Sequence, residues 1–338
     1  MKFLILRLGS LGDVVLTTPV INLLKEAYPD AEIDFLVKKE FSEILAGDPN
    51  LSRVIPFDSK GANKGAPGLL RIVRGLKENQ YSHVIDLHSN LRSRVISFLL
   101  TSSTTLRYNK QAMKRRLLLS GIRLKTVHTT SSYARALLPL DIKKEPGNPK
   151  IFFSTEESEV ANKCLQREGI KEGDLLIGFN PGAKWPTKMW PADHFIELGK
   201  KLVKELNGKV LVFGGPDELD ICSFIKDGIG DDAILLAGKK TLKESAALIS
   251  KCNLFVSNDS GPMHIASAVD TPVIAFFGPT VQDFGFSPLG KSVVLEKQIK
   301  CRPCSLHGSD SCPKGHFKCL KDISPNEVFG KAKELLGR

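Results

Sequence analysis

Short apolar runs alternate with longer amphipathic stretches along the whole chain. In the first half, residues 3–8, 32–37, 53–57 and 83–87 read as buried strands. The segments between them, 14–27, 41–46 and 69–79, carry apolar residues at helical spacing. In the second half, runs at 175–180, 209–213, 233–236, 254–256 and 273–276 alternate with helical patterns at 191–206, 218–225, 242–251 and 262–269. Such alternation predicts an α/β fold with two doubly wound parallel sheets. Residues 140–149, with Lys143, Lys144, Pro146, Gly147 and Pro149, have linker composition, and the helical stretch 156–168 fits either side of it. No repeat at fixed period is present, so the halves are alike in architecture only.

At 338 residues and 42% hydrophobic, the chain suffices for two cores. Its apolar runs fall short of the roughly 18 residues that suggest a membrane span. The opening residues 1–7 are interrupted too early, by Arg7 and Asp13, to be a secretory leader, and read as the first strand. The net charge of +11 is concentrated. Between Asp86 and Asp141 there is no carboxylate, while Arg92, Arg94, Arg107, Lys110, Lys114, Arg115, Arg116, Arg123, Lys125 and Arg135 supply ten cations. A field of that sign attracts nucleic acid, an anionic membrane or a phosphorylated glycolipid, or it serves only solubility. Aromatic residues in the segment are limited to Phe98, Tyr108 and Tyr133, and no nucleic-acid module is recognisable, which argues against nucleic acid.

In open parallel sheets, ligands lie beyond the carboxyl ends of the strands, so the turns there carry the chemistry. Four stand out. The turn at 257–264, Ser-Asn-Asp-Ser-Gly-Pro-Met-His, runs from a strand into a helix whose first amides suit phosphate; Asp259 or Ser260 as a plain helix cap explains it equally well. Gly9, Ser10, Leu11, Gly12 and Asp13 form a tight turn that is neither a dinucleotide fingerprint nor a P-loop, and Asp13 also reads as a cap. Pro19 is expected to bend the helix that follows. Residues 180–191 hold Lys184, Lys188, both tryptophans of the chain and three prolines, a loop suited to a phosphorylated ligand. Gly214 and Gly215 precede Glu218, a carboxylate at a helix start that suits a ribose diol.

Three blocks carry a resemblance: Arg7 to Val14 (RLGSLGDV), Asn180-Pro181-Gly182-Ala183 with Lys188 and Trp190-Pro191, and Ser257 to His264 (SNDSGPMH). Their order and spacing over essentially the full chain resemble the ADP-heptose:lipopolysaccharide heptosyltransferases, inverting glycosyltransferases of the lipopolysaccharide inner core. The resemblance implies two Rossmann-like domains facing across a cleft, the GT-B fold: an acceptor domain over 1–150, an ADP-sugar domain over 151–323, and a last helix, 324–338, crossing back. It implies Asp13 as the general base, with Ser10 and Gly12 near the acceptor. Lys188, Ser260 and Gly261 would hold the diphosphate, Glu218 the ribose, and the backbone near Lys240 the adenine. Asp259 and His264 would meet the sugar. Some relatives carry hydroxyl residues where this chain has Ala183 and Lys184, which leaves a backbone N–H and a charge for the donor there. No cofactor is required. The acceptor implied is a phosphorylated Kdo-lipid A or heptosyl-Kdo-lipid A, to which the basic segment is matched, with His88 and Arg92 as contacts; Lys114 to Arg116 and His128 are weaker candidates. A cytoplasmic enzyme, peripheral on the inner membrane, is the corresponding localisation. A sugar-nucleotide epimerase of the same architecture is the alternative.

Cys164, Cys222 and Cys252 read as small buried residues. Cys301, Cys304, Cys312 and Cys319, with His307 and His316 nearby, admit zinc, an iron–sulfur cluster, two disulfides or a reduced loop. A second C-x2-C knuckle is missing, and a cytosolic enzyme disfavours disulfides.

Overall fold

The computed structural model describes residues 1–100, 104–122, 124 and 126–338. They form two units, Met1–Ala112 with Val127–Phe152, and Met113–Thr126 with Phe153–Arg338.

In the first unit β1 (Lys2–Leu6), β2 (Glu32–Lys38), β3 (Arg53–Phe57), β4 (His83–Asp86) and β5 (Thr104–Arg107) form a parallel sheet in the order β3-β2-β1-β4-β5. The near-continuous apolar sequence of β1, β2 and β4 is what a strand covered on both faces requires. Leu4, Leu6, Leu36 and Val84 pack against Val73 and Leu76 of helix Gly65–Lys77 and against Ile96 of helix Leu91–Leu99. Leu6 lies opposite Asp86, so β1 and β4 end side by side and their following turns share one end of the sheet. The stretch 14–27 is two helices, Leu11–Val15 and Thr18–Ala27. Pro19 opens the second one, where its missing N–H removes no helical bond, so it starts a helix where the sequence suggested a bend. The hydroxyls of Thr17 and Thr18 donate back to the carbonyls of Val14 and Val15 at the break.

In the second unit β6 (Leu175–Asn180), β7 (Gly208–Val212), β8 (Ala233–Leu235), β9 (Leu254–Asn258), β10 (Val273–Phe276) and β11 (Ser292–Leu295) are parallel, in the order β11-β10-β9-β6-β7-β8. Asn180 pairs with Ser257, and Phe276 with Asn258, which brings the turns after β6, β9 and β10 together. Helix Thr155–Arg167 packs on helix Leu242–Ile249 and belongs to this unit.

Two domain expectations differ. The last helix, Pro325–Leu336, was expected to cross back to the first domain. Its apolar side, Val328, Phe329 and Ala332, instead joins the core of the second unit, against helix Ala192–Leu206. Residues 113–126, expected in the first domain, also group with the second unit. Arg115 Nε donates to the Phe284 carbonyl at 3.1 Å, and its guanidinium stands 4.5 Å from the Phe286 ring centroid. The basic segment is therefore divided between the units, and two of its cations, Arg123 and Lys125, lie outside the described residues. Among the described residues no helix is long and apolar enough to cross a membrane.

Candidate functional site

β1 ends by burying a cation. Arg7 follows the apolar run, its side chain is 7% exposed, and Nη1 donates to the Leu87 carbonyl at 2.6 Å. A buried guanidinium needs a counter-charge. Asp13, at the third position of helix Leu11–Val15, provides it: Arg7 Nη2 lies 2.6 Å from Asp13 Oδ2. Ser10 gives the same oxygen its backbone N–H at 3.3 Å and its hydroxyl at 2.8 Å. The other oxygen, Oδ1, accepts from Tyr133 Oη at 3.0 Å. Tyr133 is fully buried, edge-on to Tyr108 at 4.7 Å, with the Arg7 guanidinium over its ring. Burial by itself raises the Asp13 carboxyl, but Arg7, aided by Ser10 and Tyr133, more than offsets this and holds it below the usual carboxylate range. Asp13 is thus ionised at neutral pH, and more than a helix cap. Ser10, expected near the acceptor, spends its hydrogens on Asp13; Gly12 is buried inside the short helix.

The adjacent turn after β4 is held by Asp86, fully buried, which accepts from the N–H of His88 at 3.1 Å and Ser89 at 2.7 Å and from the Ser93 hydroxyl at 3.0 Å. His88 is half-buried. Desolvation, then the fields of Arg7 and Lys110, push its imidazole down to about 4, with Asp13 opposing, so the ring is neutral at pH 7. Among the described residues its buried Nδ1 has no hydrogen-bond partner. Arg92 is exposed on helix Leu91–Leu99, its guanidinium 5.5 Å from the Phe57 ring centroid.

In the second unit, Asn258 fastens the long turn after β6. Its Oδ1 accepts from Trp190 N at 2.9 Å and its Nδ2 donates to the Pro181 carbonyl at 2.7 Å. Trp190 is one of the two tryptophans that made this loop look suited to a ligand. It is fully buried instead, stacked on Phe276 at 4.4 Å with Nε1 on the Ile323 carbonyl, because this turn folds back onto the core. Trp185 is partly buried and carries the Lys184 ammonium 5.5 Å from its ring centroid; Ala183 is half-buried. Lys188 Nζ meets Asp259 Oδ2 at 2.6 Å and the Asp259 carbonyl at 3.2 Å, the two side chains being 15% and 11% exposed. Thr280 also donates to Asp259 Oδ2, at 2.7 Å.

Ser260 occupies the cap position of helix Gly261–Ala268, yet its side chain makes no capping bond. Its hydroxyl lies 3.3 Å from Ser257 Oγ and 3.4 Å from Asn180 Nδ2. Neither Asp259 nor Ser260 therefore acts as a plain cap, and the first helical amides, apart from Pro262 which has none, have no acceptor within the helix. His264 is buried one turn in. Glu218 Oε2 accepts from Gly215 N at 2.8 Å, and burial raises its carboxyl despite that bond. Gly182 leaves room for it: a Cβ there would stand 1.9 Å from Glu218 Oε1 and push this carboxylate aside. Lys240 is half-buried, one residue before the Thr241 cap of helix Leu242–Ile249.

The four C-terminal cysteines lie near enough for each thiol to feel the charge of the others. All four are free thiols, and among the described residues no three His, Cys, Asp or Glu side chains are grouped to hold a metal ion. Cys301 Sγ lies 3.7 Å from His316 Nε2. What the segment does is brace the site: Arg302 donates to the carbonyls of Phe277, Gly278, Lys297 and Thr280 and to Glu296, fixing the loop that presents Thr280 to Asp259.

The residues missed in the sequence are Arg7 and Tyr133 as partners of Asp13, and Asn180, Asn258 and Thr280 around Lys188. A cation directly after an apolar strand was the one available signal, for Arg7.

Glycosyltransferase family 9 (heptosyltransferase) matches residues 69–312. Lipooligosaccharide heptosyltransferase 2 of Haemophilus ducreyi is 29% identical over 355 residues, covering 99% of each chain. Lipopolysaccharide heptosyltransferase 3 of Escherichia coli is 32% identical over 285 residues, 80% of each. The crystal structure of the glycosyl transferase family 9 protein from Veillonella parvula superposes with a TM-score of 0.86 at 27% identity, over 99% of this chain and 97% of that one. The paired parallel sheets are those of the GT-B fold, and nothing in these matches supports an epimerase. The chain belongs to glycosyltransferase family 9, the heptosyltransferases, and is a glycosyltransferase.

Proposed function

We propose that the protein transfers heptose from ADP-heptose, with inversion, to the inner core of lipopolysaccharide, on a Kdo-lipid A or heptosyl-Kdo-lipid A acceptor. The names of the two relatives, a lipooligosaccharide and a lipopolysaccharide heptosyltransferase, support the acceptor class. The observation that carries the mechanism is the Asp13 carboxylate, ionised, with Oδ2 taken by Arg7 and Ser10 and Oδ1, among the described residues, holding only the Tyr133 hydroxyl. A carboxylate oxygen has two lone pairs, so Oδ1 is the atom that receives the acceptor proton.

The acceptor oxygen attacks the anomeric carbon, the bond from that carbon to the diphosphate breaks, and ADP departs with the electron pair through an oxocarbenium-like state. A carboxylate stabilised this strongly is a weak base, so it takes the proton as the new C–O bond forms and acidifies the hydroxyl. Lys188, with one ammonium hydrogen beyond its two contacts to Asp259, the Ser260 hydroxyl and the amides from Gly261 on stabilise the leaving charge. Lys184 and the Ala183 N–H add to the donor site, Glu218 takes the ribose, the backbone at Lys240 the adenine, and His264 with Asp259 the sugar. His88, a neutral imidazole, and Arg92 face the acceptor. The reaction uses no cofactor, and Cys301, Cys304, Cys312 and Cys319 form a reduced loop; stoichiometric zinc or iron in purified protein would overturn that assignment.

The enzyme works in the cytoplasm at an anionic membrane surface, reached through its basic charge, and does not bind nucleic acid: of the three aromatic residues in the basic segment, Tyr108 and Tyr133 are buried, which leaves Phe98 as a single exposed ring. ADP release measured with ADP-heptose against successively truncated core acceptors tests the reading. Release that requires an inner-core acceptor supports it, and release indifferent to the acceptor contradicts it.

A further inference from the structure

We propose that the outer side of the helix pair Gly65–Lys77 and Leu91–Leu99 is a docking surface for an anionic lipid bilayer, with Leu91 and Phe98 entering the acyl region. The reading of a lipid-borne acceptor gives such docking a purpose, but the surface stands on its own geometry.

Both helices cover the same face of the first sheet, through Val73, Leu76 and Ile96. Their outward sides are not those of an ordinary solvated surface. Leu91 is 81% exposed and Phe98 75% exposed. They are two helical turns apart, on one side of helix Leu91–Leu99, with exposed Arg94 between them. On the neighbouring helix Leu70, 55% exposed, shares its side with Arg74 and Lys77. Arg71, Arg74, Lys77, Arg92 and Arg94 are all exposed, and among the described residues none is paired with a carboxylate. Apolar tips ringed by cations are the pattern of an interfacial helix. Charge selects the occupant: a second copy would set like-charged faces together, whereas each cation near an anionic leaflet strengthens binding about fivefold.

Flotation of the full chain with phosphatidylcholine vesicles, with and without phosphatidylglycerol, tests this. Binding is expected only with phosphatidylglycerol, weakened by salt but not abolished, because the apolar part is not screened. The Leu91→Ser/Phe98→Ser variant is expected to lose roughly ten- to a hundredfold of the partition while keeping its fold and its transfer to a deacylated, water-soluble acceptor. Phe98→Trp is expected to shift its emission to the blue on adding phosphatidylglycerol vesicles. Wild-type flotation by the double serine variant, an unshifted Phe98→Trp spectrum, or a wild-type dimer that the serine variant disrupts would each overturn the proposal. Absence of transfer to the soluble acceptor by the wild type would count against the transferase reading instead, and leaves the flotation result standing.

Discussion

The turn after β1 and the turn after β9 are built alike and charged oppositely. Each leads from a buried strand into a helix, and each contains an aspartate within 2.6 Å of a cation. After β1 the cation is the inner partner: Arg7, 7% exposed, is the fixed support, and the carboxylate of Asp13 is the group left with a usable lone pair. After β9 the carboxylate is the support, since Asp259 is tied to Thr280 and, among the described residues, the ammonium of Lys188 keeps a hydrogen beyond its two contacts with Asp259. On the proposed mechanism, one architecture thus yields a site for a proton and a site for an anion, according to which member of the pair is anchored.

Removing the working group of either pair breaks the comparison most severely. Asp13→Asn is expected to lower turnover by about 10²- to 10⁴-fold with donor affinity kept. It also strands Arg7, at up to about 3 kcal/mol of stability, so turnover belongs well below the melting midpoint that calorimetry gives. Lys188→Ala is expected to lower kcat/KM by about 10²- to 10³-fold, chiefly through donor affinity, because it leaves Asp259 uncompensated beside the diphosphate. Adding Asp259→Asn to that variant is expected to recover part of the loss, and no recovery would mean that Asp259 is not a support.

Removing a support sharpens it. Tyr133→Phe keeps the buried ring and deletes one donor to Asp13, a change of about 1 kcal/mol, or several-fold in kcat. The hydroxyl stabilises the charged carboxylate, so its loss raises the Asp13 value toward the ordinary one. Because activity is present above that value and lost as pH falls through it, the acid limb of the kcat profile is expected to move to higher pH; an unmoved limb would make Tyr133 a packing residue only. The smallest effect is expected at His88. With its imidazole already neutral above about 4, His88→Gln is expected to raise the acceptor KM a few-fold and leave the pH profile near neutrality unchanged.

The sheet strands and the loops that end them were legible, because polar clusters directly after apolar runs mark the ends of the strands, although a helix cap and a ligand site look alike there. Asp13, Lys188 and Ser260 were singled out as candidates that way. Tyr133 was not, as it reaches Asp13 from 120 positions away through a helix, Thr129–Ala134, with no periodic signature. β5 was missed because only Leu106 of its four residues is buried. Trp190 was misread for a different reason: a tryptophan in a proline-rich loop looks the same whether it faces a ligand or folds under the loop, and the bond from Asn258 that decides it spans 68 residues. Among the C-terminal cysteines, whose spacing left several readings open, no pattern announced Arg302 as the brace of the Thr280 loop.

Titration of ADP into Asp13→Asn and Lys188→Ala beside the wild type, with single-turnover transfer on the same samples, tests the division of labour most directly. The account predicts wild-type ADP affinity with lost transfer for Asp13→Asn, and weakened ADP affinity for Lys188→Ala. Loss of ADP affinity in Asp13→Asn, or near-normal transfer by it, would contradict the assignment of the proton to one turn and the anion to the other.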